Sequence, residues 1–515
     1  MKKLIYILAI SIALFACNDS LDLTPIGQLM GGNFPVTDDD AIALTNGIYQ
    51  PNALLSSTVG YLTDLPTEVE ISGENPTSGG GLVSLLQLDP SNEVVTTVWN
   101  YLYTGIAAAN NAIERIEDSN TISESVRKRS IGEAHFLRAY YYFYAVQFWG
   151  EVPLPLTTTD GSGRTRAAVD DVYTQIVTDL QEAASRLPVV SEYSSSDKGR
   201  ATQGAANALL AKVYLTWGQT SETGGNAAQK EKFGKAIDAA NLVTGYELEE
   251  VYLANWSTAI RNGKEHIFTT QHTLSQDVDG SGGNHLLHCS LATGFTQIIP
   301  HVVVSDLKFY EAFDDRDQRK KGTYAKELYN PDGDSIFTFD LPRFRKYIDA
   351  DDPYGSASNR NIDRTVIRYA EVLLLKAEAI NEYNGAPNAE AYEAVNQILR
   401  RAFGHFPVTA QSVDDLSTGL DYEGFKRVIQ EQRTFELTYE QNRWTDLVRW
   451  RIYVKTLKNS GVNPIYGKQN VSLKNYRYPI PQSQRNINPE GLWQNWGFDG
   501  ANDSKTGTNP YAGFE

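Results

Sequence analysis

Six charged residues in the C-terminal part of this 515-residue chain pose the first chemical question. Arg433, Glu436, Glu440, Arg443, Asp446 and Arg449 recur at steps of three or four, beside Trp444 and Trp450. Such steps put them on one helix face with opposite charges alternating. Two chemistries suit the set: a catalytic carboxylate pair, or a ladder of paired charges inside a core. A glycosidase sets its carboxylates across the substrate and raises the pKa of one, and nothing in this spacing does so. A buried charge, by contrast, must be paired. The pattern reads as a salt-bridge ladder, and Glu371 and Glu378, seven apart among apolar neighbours, read the same way. No nucleophile elbow, phosphate loop or metal-protease helix occurs. The sequence therefore predicts no enzyme and no cofactor.

Metal ligands give a similar answer. Asp277, Asp279 and Ser281 followed by Gly282 mimic the opening of a calcium loop, but its twelfth position is His288 rather than a bidentate Glu. The stretch reads as a polar turn. His285, His288 and His301 define no fixed zinc set.

The other reactive position is Cys17. Lys2 and Lys3 precede an almost unbroken apolar run from Leu4 to Ala16. That is too short to span a bilayer, which takes about 20 residues, and suits the core of a secretory signal. The run ends Leu14-Phe15-Ala16-Cys17, which resembles the lipobox of bacterial lipoproteins, where cleavage precedes an acylated cysteine. Residues 1–16 are thus expected to be a signal peptide and 17–25 the lipid anchor and tether. Two or more acyl chains, at about 0.8 kcal/mol per buried CH₂, hold a protein firmly to a membrane.

The net charge of −17 argues against nucleic acid and, unless a local basic patch overrides the average, against strongly anionic ligands. Cys289 is the only other cysteine, so no intramolecular disulfide is available and stability must come from packing. The 29 Tyr, 19 Phe and 8 Trp suit cores, interfaces or sugar platforms equally.

Helical periodicity dominates the elements that must position these groups. Thr121-Ile122-Ser123-Glu124 reads as a capping box, opening a helix with Ala134, Leu137, Tyr141, Tyr144 and Phe148 on one face. It ends at Gly150, before the extended Glu151-Val152-Pro153-Leu154-Pro155. Further helices are expected over about 169–187, 199–217, 366–383, 388–403 and 422–457. Leu210-Ala211 with Tyr214, then Phe233 with Ala236, have the spacings of a tetratricopeptide-type helix pair. Long irregular stretches cover about 50–95, 245–305, 320–360 and 458–515, with a strand-like piece at 266–271. No linker divides residues 26–515, which read as a single domain.

Several blocks resemble the SusD/RagB family of nutrient-binding outer-membrane lipoproteins. They are Glu133-Ala134-His135-Phe136-Leu137-Arg138-Ala139 with Gly150-Glu151-Val152-Pro153-Leu154, then Gly199-Arg200-Ala201-Thr202 running into Ala208 to Leu215. Arg368-Tyr369-Ala370-Glu371 follows, then Glu431-Gln432-Arg433 with Arg443-Trp444-Thr445-Asp446, and finally Pro479-Ile480-Pro481. Gln484 and Trp496 depart from the pattern. The resemblance implies a mostly α fold with tetratricopeptide-like helix pairs, a large irregular, loop-rich ligand-binding half and few short strands. It also implies a protein anchored to the outer membrane by lipid only, facing outward. As the lid of a SusC-like TonB-dependent transporter, it would capture a glycan or, in some members, a peptide.

A neutral sugar calls for aromatic platforms edged by polar groups. On the irregular segments the candidates are Tyr61, Asp64, Glu68 and Asn75, and then Asn284, His285, His288 and Phe295. Trp99, Trp149, Trp444 and Trp450 lie on motif helices and are expected in the core.

Overall fold

In the computed structural model, the apolar run expected on one helix face belongs to a helix buried on nearly every side. From Ser130 to Trp149 only His135 and Tyr144 are even half-exposed, and a helix apolar all round belongs at the centre of a core. The structure describes residues 34–71, 76–161, 163–221, 223–272, 307–329, 335–347, 349–350, 362–501, 507 and 509–515. Cys17, Cys289 and the calcium-like stretch 277–288 lie outside them.

The helices, in chain order, are α1 (Asp38–Thr58), α2 (Gly60–Thr63), α3 (Gly79–Ser84), α4 (Glu93–Asp118), α5 (Glu124–Trp149), α6 (Val169–Arg186), α7 (Gln203–Thr220) and α8 (Gly225–Asn241). They continue with α9 (Leu307–Glu311), α10 (Gln318–Thr323), α11 (Tyr369–Asn384), α12 (Ala389–Ala402), α13 (Tyr422–Leu437), α14 (Arg443–Arg449), α15 (Tyr453–Asn459) and α16 (Gln482–Ile487). Each long helix packs on the next: α4 on α5, α5 on α6, α6 on α7, α7 on α8, α8 on α11, α11 on α12. This is the expected array of helix pairs.

Small residues let the axes approach. Ala205, Ala206, Ala208 and Ala211 of α7 are all buried. On α4, Gly105 faces the Tyr141 ring of α5 so closely that a Cβ would run into it. Tyr141 is itself fully buried, and its hydroxyl donates to the Ile48 carbonyl of α1 at 2.6 Å. One glycine thus sets how α1, α4 and α5 meet.

Two local readings need correction. The α5 N-cap is Ser123, not Thr121, and its hydroxyl donates to Asp38 Oδ2 at 2.7 Å instead of closing a box. The reciprocal box occurs at α1, between Thr37 and Asp40. The expected helix over 422–457 is three helices, α13 to α15. Tyr439 and Gln441 at the first break, and Arg451 at the second, have positive φ.

Among the described residues, three two-stranded antiparallel sheets accompany the helices. β1 (Val152–Pro153) pairs with β2 (Arg166–Ala167), and β3 (His266–Thr270) with β6 (Arg364–Arg368). β4 (Tyr324–Tyr329) and β5 (Ser335–Phe344) form a hairpin within a stretch expected to be irregular. β6 runs directly into α11, so the β3–β6 pair ties the loop-rich half to the helical array.

Candidate functional site

The loop-rich half is an aromatic cluster set on an ionic floor. Tyr252, Trp256, Tyr324, Phe344, Tyr347 and Tyr439 are buried together, with Tyr61, Phe309 and Tyr310 half-buried against them. Phe344 and Tyr439 stack with centroids 4.2 Å apart. Beneath them lie charges from β6, α10, α12 and α13 and from the turns beside helices and strands. Arg368 Nη1 donates to Glu265 Oε1 at 2.7 Å and to Glu436 Oε1 at 2.6 Å, while its Nε donates to Glu440 Oε2 at 2.7 Å. Arg401 also reaches Glu265 and Glu436. Lys346 Nζ donates to Glu440 Oε1 at 2.6 Å and to the Thr438 carbonyl at 2.7 Å. Arg319 adds Asp317 at 2.7 Å and Glu436 at 3.4 Å.

All these side chains are buried, and four cations meet four carboxylates. Burial raises the Glu436 carboxyl, but Arg401, Arg368 and Arg319 outweigh it and hold the group well below the usual carboxylate range. A carboxylate held ionised this firmly has no proton to give, so it cannot serve as a general acid.

A second network fixes α14. Arg433 Nε donates to Asp446 Oδ2 at 2.8 Å, and Arg449 spans Asp446 and Glu378 at 2.9 and 2.5 Å. Lys212 pairs with Glu371 at 2.8 Å, and Trp450 Nε1 donates to Glu378 at 2.6 Å. The alternating charges are therefore paired and buried or half-buried, mostly across separate elements, with Arg449–Asp446 the pair that runs along one helix. Trp99, Trp149, Trp444 and Trp450 are all buried, as their motif positions predict.

The sequence-predicted binding residues divide. Tyr61 sits half-buried at the border of the aromatic cluster. Asp64 is 2 % exposed, accepting from the backbone N–H of Gln441 at 2.7 Å and of Arg443 at 3.2 Å. Burial pushes its carboxyl up to about 7. Glu68 accepts from Arg443 Nε at 2.8 Å. Asp64 and Glu68, expected as ligand contacts, thus act in the structure as fasteners of segment 60–71. The same segment is held by Tyr478, whose hydroxyl donates to the Leu62 carbonyl at 2.6 Å, by Tyr453 to Pro66 at 2.8 Å, and by buried Lys468 to the Leu65 carbonyl. Burial lowers Lys468 to about 7. Asn75, Asn284, His285, His288 and Phe295 lie outside the described residues.

Sequence reasoning missed Lys346 and Glu265 altogether, since each pairs with residues far away in the chain and no local spacing marks them. Among the described residues no group of three or more His, Cys, Asp or Glu could hold a metal.

Comparison with known proteins fits this helical array and its loop half. A profile described as starch-binding and associating with outer membrane matches residues 82–215, and that of the SusD family matches residues 304–498. A SusD-like protein of Formosa agariphila is 27% identical over 513 residues, covering 93% of this chain and 97% of that protein. The chain belongs to the SusD/RagB family. A SusD superfamily protein from Parabacteroides distasonis superposes with a TM-score of 0.74 at 26% identity, over 89% of this chain and 99% of that one. A solved laminarin-binding SusD-like protein shares the fold, with a TM-score of 0.70 at 24% identity over 89% and 99% of the two chains. The SusD-family scaffold explains why the motif residues are structural: they hold the helix pairs and the loop half together. Like other SusD-family members, the chain is a binding protein rather than an enzyme.

Proposed function

We propose that this chain is a cell-surface lipoprotein that captures an oligosaccharide or polysaccharide and passes it, as a lid, to a SusC-like TonB-dependent transporter in the outer membrane. The observation that carries the reading is likeness along nearly the whole chain to a SusD-like protein, with residues 82–215 matching a profile described as starch-binding and associating with outer membrane. Similar folds there include one named for laminarin binding and one solved with a xylogluco-oligosaccharide. An aromatic cluster with half-buried rings at its border suits the flat faces of a sugar.

Attachment follows from the lipobox ending at Cys17. Among the described residues no helix is long and apolar enough to cross a membrane. Residues 17–25 would then be the tether and 26–515 the single binding domain. The test is fractionation of cells carrying Cys17→Ala. The unaltered protein is expected in the outer membrane, accessible to added protease and co-isolating with a large β-barrel, while Cys17→Ala leaves the membrane fraction. Membrane retention unchanged by Cys17→Ala contradicts the anchor, and isolation without any transporter contradicts the lid.

A further inference from the structure

On elements that lend nothing to the aromatic cluster, α4, the extended segment after β1 and α16 enclose a groove of about 690 Å³. That volume falls within the roughly 300–1,000 Å³ of small-molecule sites. Helical steps set one wall: Asn100, Thr104 and Ala107 follow one another on α4 at four and three residues, so they share a face. All three are exposed, on a helix whose Leu102, Ile106 and Ala109 are in the core. Tyr103 is half-buried beside them and stacks on buried Trp99, with centroids 4.8 Å apart. Ile487 of α16, also in the lining, is 66 % exposed.

The protein's own hydrogen bonds fix these walls. The Tyr103 hydroxyl donates to the Pro153 carbonyl at 2.8 Å, and Asn110 Nδ2 to the Pro155 carbonyl at 3.0 Å. Asp160 accepts from the backbone N–H of Leu156 at 2.7 Å and of Thr157 at 2.9 Å, and it pairs with Arg164. Among the described residues these two are the only charged members of the lining, so the wall presents no unpaired carboxylate or guanidinium. Glu114, outside the lining, accepts from the Thr158 N–H at 2.8 Å and hydroxyl at 2.5 Å. The groups left over are neutral. Gln484 Nε2 donates to Asn100 Oδ1 at 3.2 Å, which leaves Gln484 Oε1 to accept and Asn100 Nδ2 to donate. Gln484 is also one of the two positions at which the chain departs from the SusD/RagB pattern.

We infer that this groove is a sugar subsite separate from the loop-rich half, holding a short run of neutral pyranose units. Their CH faces lie against Tyr103 and Ile487, and their hydroxyls meet the Asn100–Gln484 amide pair and the Thr104 hydroxyl. Each sugar hydroxyl both donates and accepts, which a neighbouring amide donor and acceptor match and an isolated charge does not. Aromatic and aliphatic walls receive the apolar faces of the ring and fix its orientation. Because the walls are already hydrogen-bonded, little ordering cost opposes binding. The inference rests on the glycan-binding reading and adds to it a second, uncharged subsite.

The experiment is calorimetric titration of the detergent-solubilised mature protein with maltoheptaose, laminarihexaose and cellohexaose, and with the uncharged peptide N-acetyl-Ala-Ala-Ala-amide. At least one oligosaccharide is expected to saturate. Thr104→Arg places a long side chain in the groove from an exposed position, and should weaken that sugar at least tenfold or lower the number bound from two to one. Asn100→Ala, also at an exposed position, should weaken it at least threefold. Both variants should keep the parent's thermal transition, and should Thr104→Arg not fold, Asn100→Ala carries the test. Affinity and number bound unchanged in both variants overturn the inference, as does a response confined to the peptide. Retardation of each protein by gel-embedded polysaccharides is read in parallel. Retardation without any oligosaccharide binding would overturn the subsite alone. Oligosaccharide binding that Thr104→Arg removes, in a parent that no polysaccharide retards, would overturn the delivery reading alone. Silence in both assays overturns both.

Discussion

Replacing Arg368 by methionine is expected to cost about 3–5 kcal/mol of stability, the range for breaking a buried ion pair by removing one partner. Arg368 is 1 % exposed and bonds Glu265, Glu436 and Glu440 at once. Methionine fills much of the volume but leaves those three carboxylates to Arg401, Arg319 and Lys346. Because β6 ends at Arg368, the loss falls where the loop-rich half joins the helices. Chemical denaturation of the variant should show a lower midpoint, and hydrogen exchange should rise first in β3 and β6. A midpoint within about 0.5 kcal/mol of the parent, as for an exposed change, would mean that the cluster does not hold the two halves together.

Acid should unfold the protein steeply below about pH 4.5, and the sign follows from the same pairs. Burial raises the carboxyls of Glu436, Glu265, Glu378 and Asp446, but neighbouring guanidiniums outweigh it, so each folded value lies below the unfolded one. A depressed carboxyl contributes stability that is present above the unfolded value, about 4, and lost as pH falls through the folded value. Asp64 works the other way. Burial raises it to about 7, so its contribution is full below about 4 and is lost as pH rises to 7. Lys468, lowered by burial to about 7, contributes fully above about 10.4 and loses that contribution as pH falls to 7. From pH 7 to 5 only Asp64 among these titrates, giving a shallow gain, and the paired carboxyls then dominate the loss. Denaturant midpoints from pH 3 to 8 should peak between about 5 and 6, and Asp64→Asn should flatten the rise from 7 to 5. A curve flat down to pH 3 would contradict the pairing.

The helical scaffold was legible because its information is local. Ala134, Leu137, Tyr141 and Phe148 repeat at helical steps, and the helices over 169–187 and 388–403 match α6 and α12 closely. The break between α13 and α14 was not legible. No glycine or proline marks it, and Tyr439 and Gln441 take positive φ where Glu440 meets Lys346 and Arg368. Those partners are 94 and 72 residues away in sequence. The same holds for Asp64, an acidic residue on a loop-like segment that the fold turns inward to cap Gln441 and Arg443. Sequence chemistry suggested a ligand contact there because side-chain type alone does not distinguish a carboxylate aimed at solvent from one aimed at backbone amides. Tyr61, by contrast, remains at the edge of the aromatic cluster. Family motifs carried the identification because they are scaffold residues, and for that reason they say little about which sugar is bound.

Glycan capture is the central claim, and native affinity electrophoresis tests it most directly. The mature protein would be run through gels containing neutral or acidic polysaccharides, beside a gel with a peptide mixture, and the recovered polymer sized afterwards. Retardation by at least one polysaccharide, with the polymer undiminished in length, is the expected result. Retardation by the peptide mixture alone, or a polymer shortened during the run, would contradict the account.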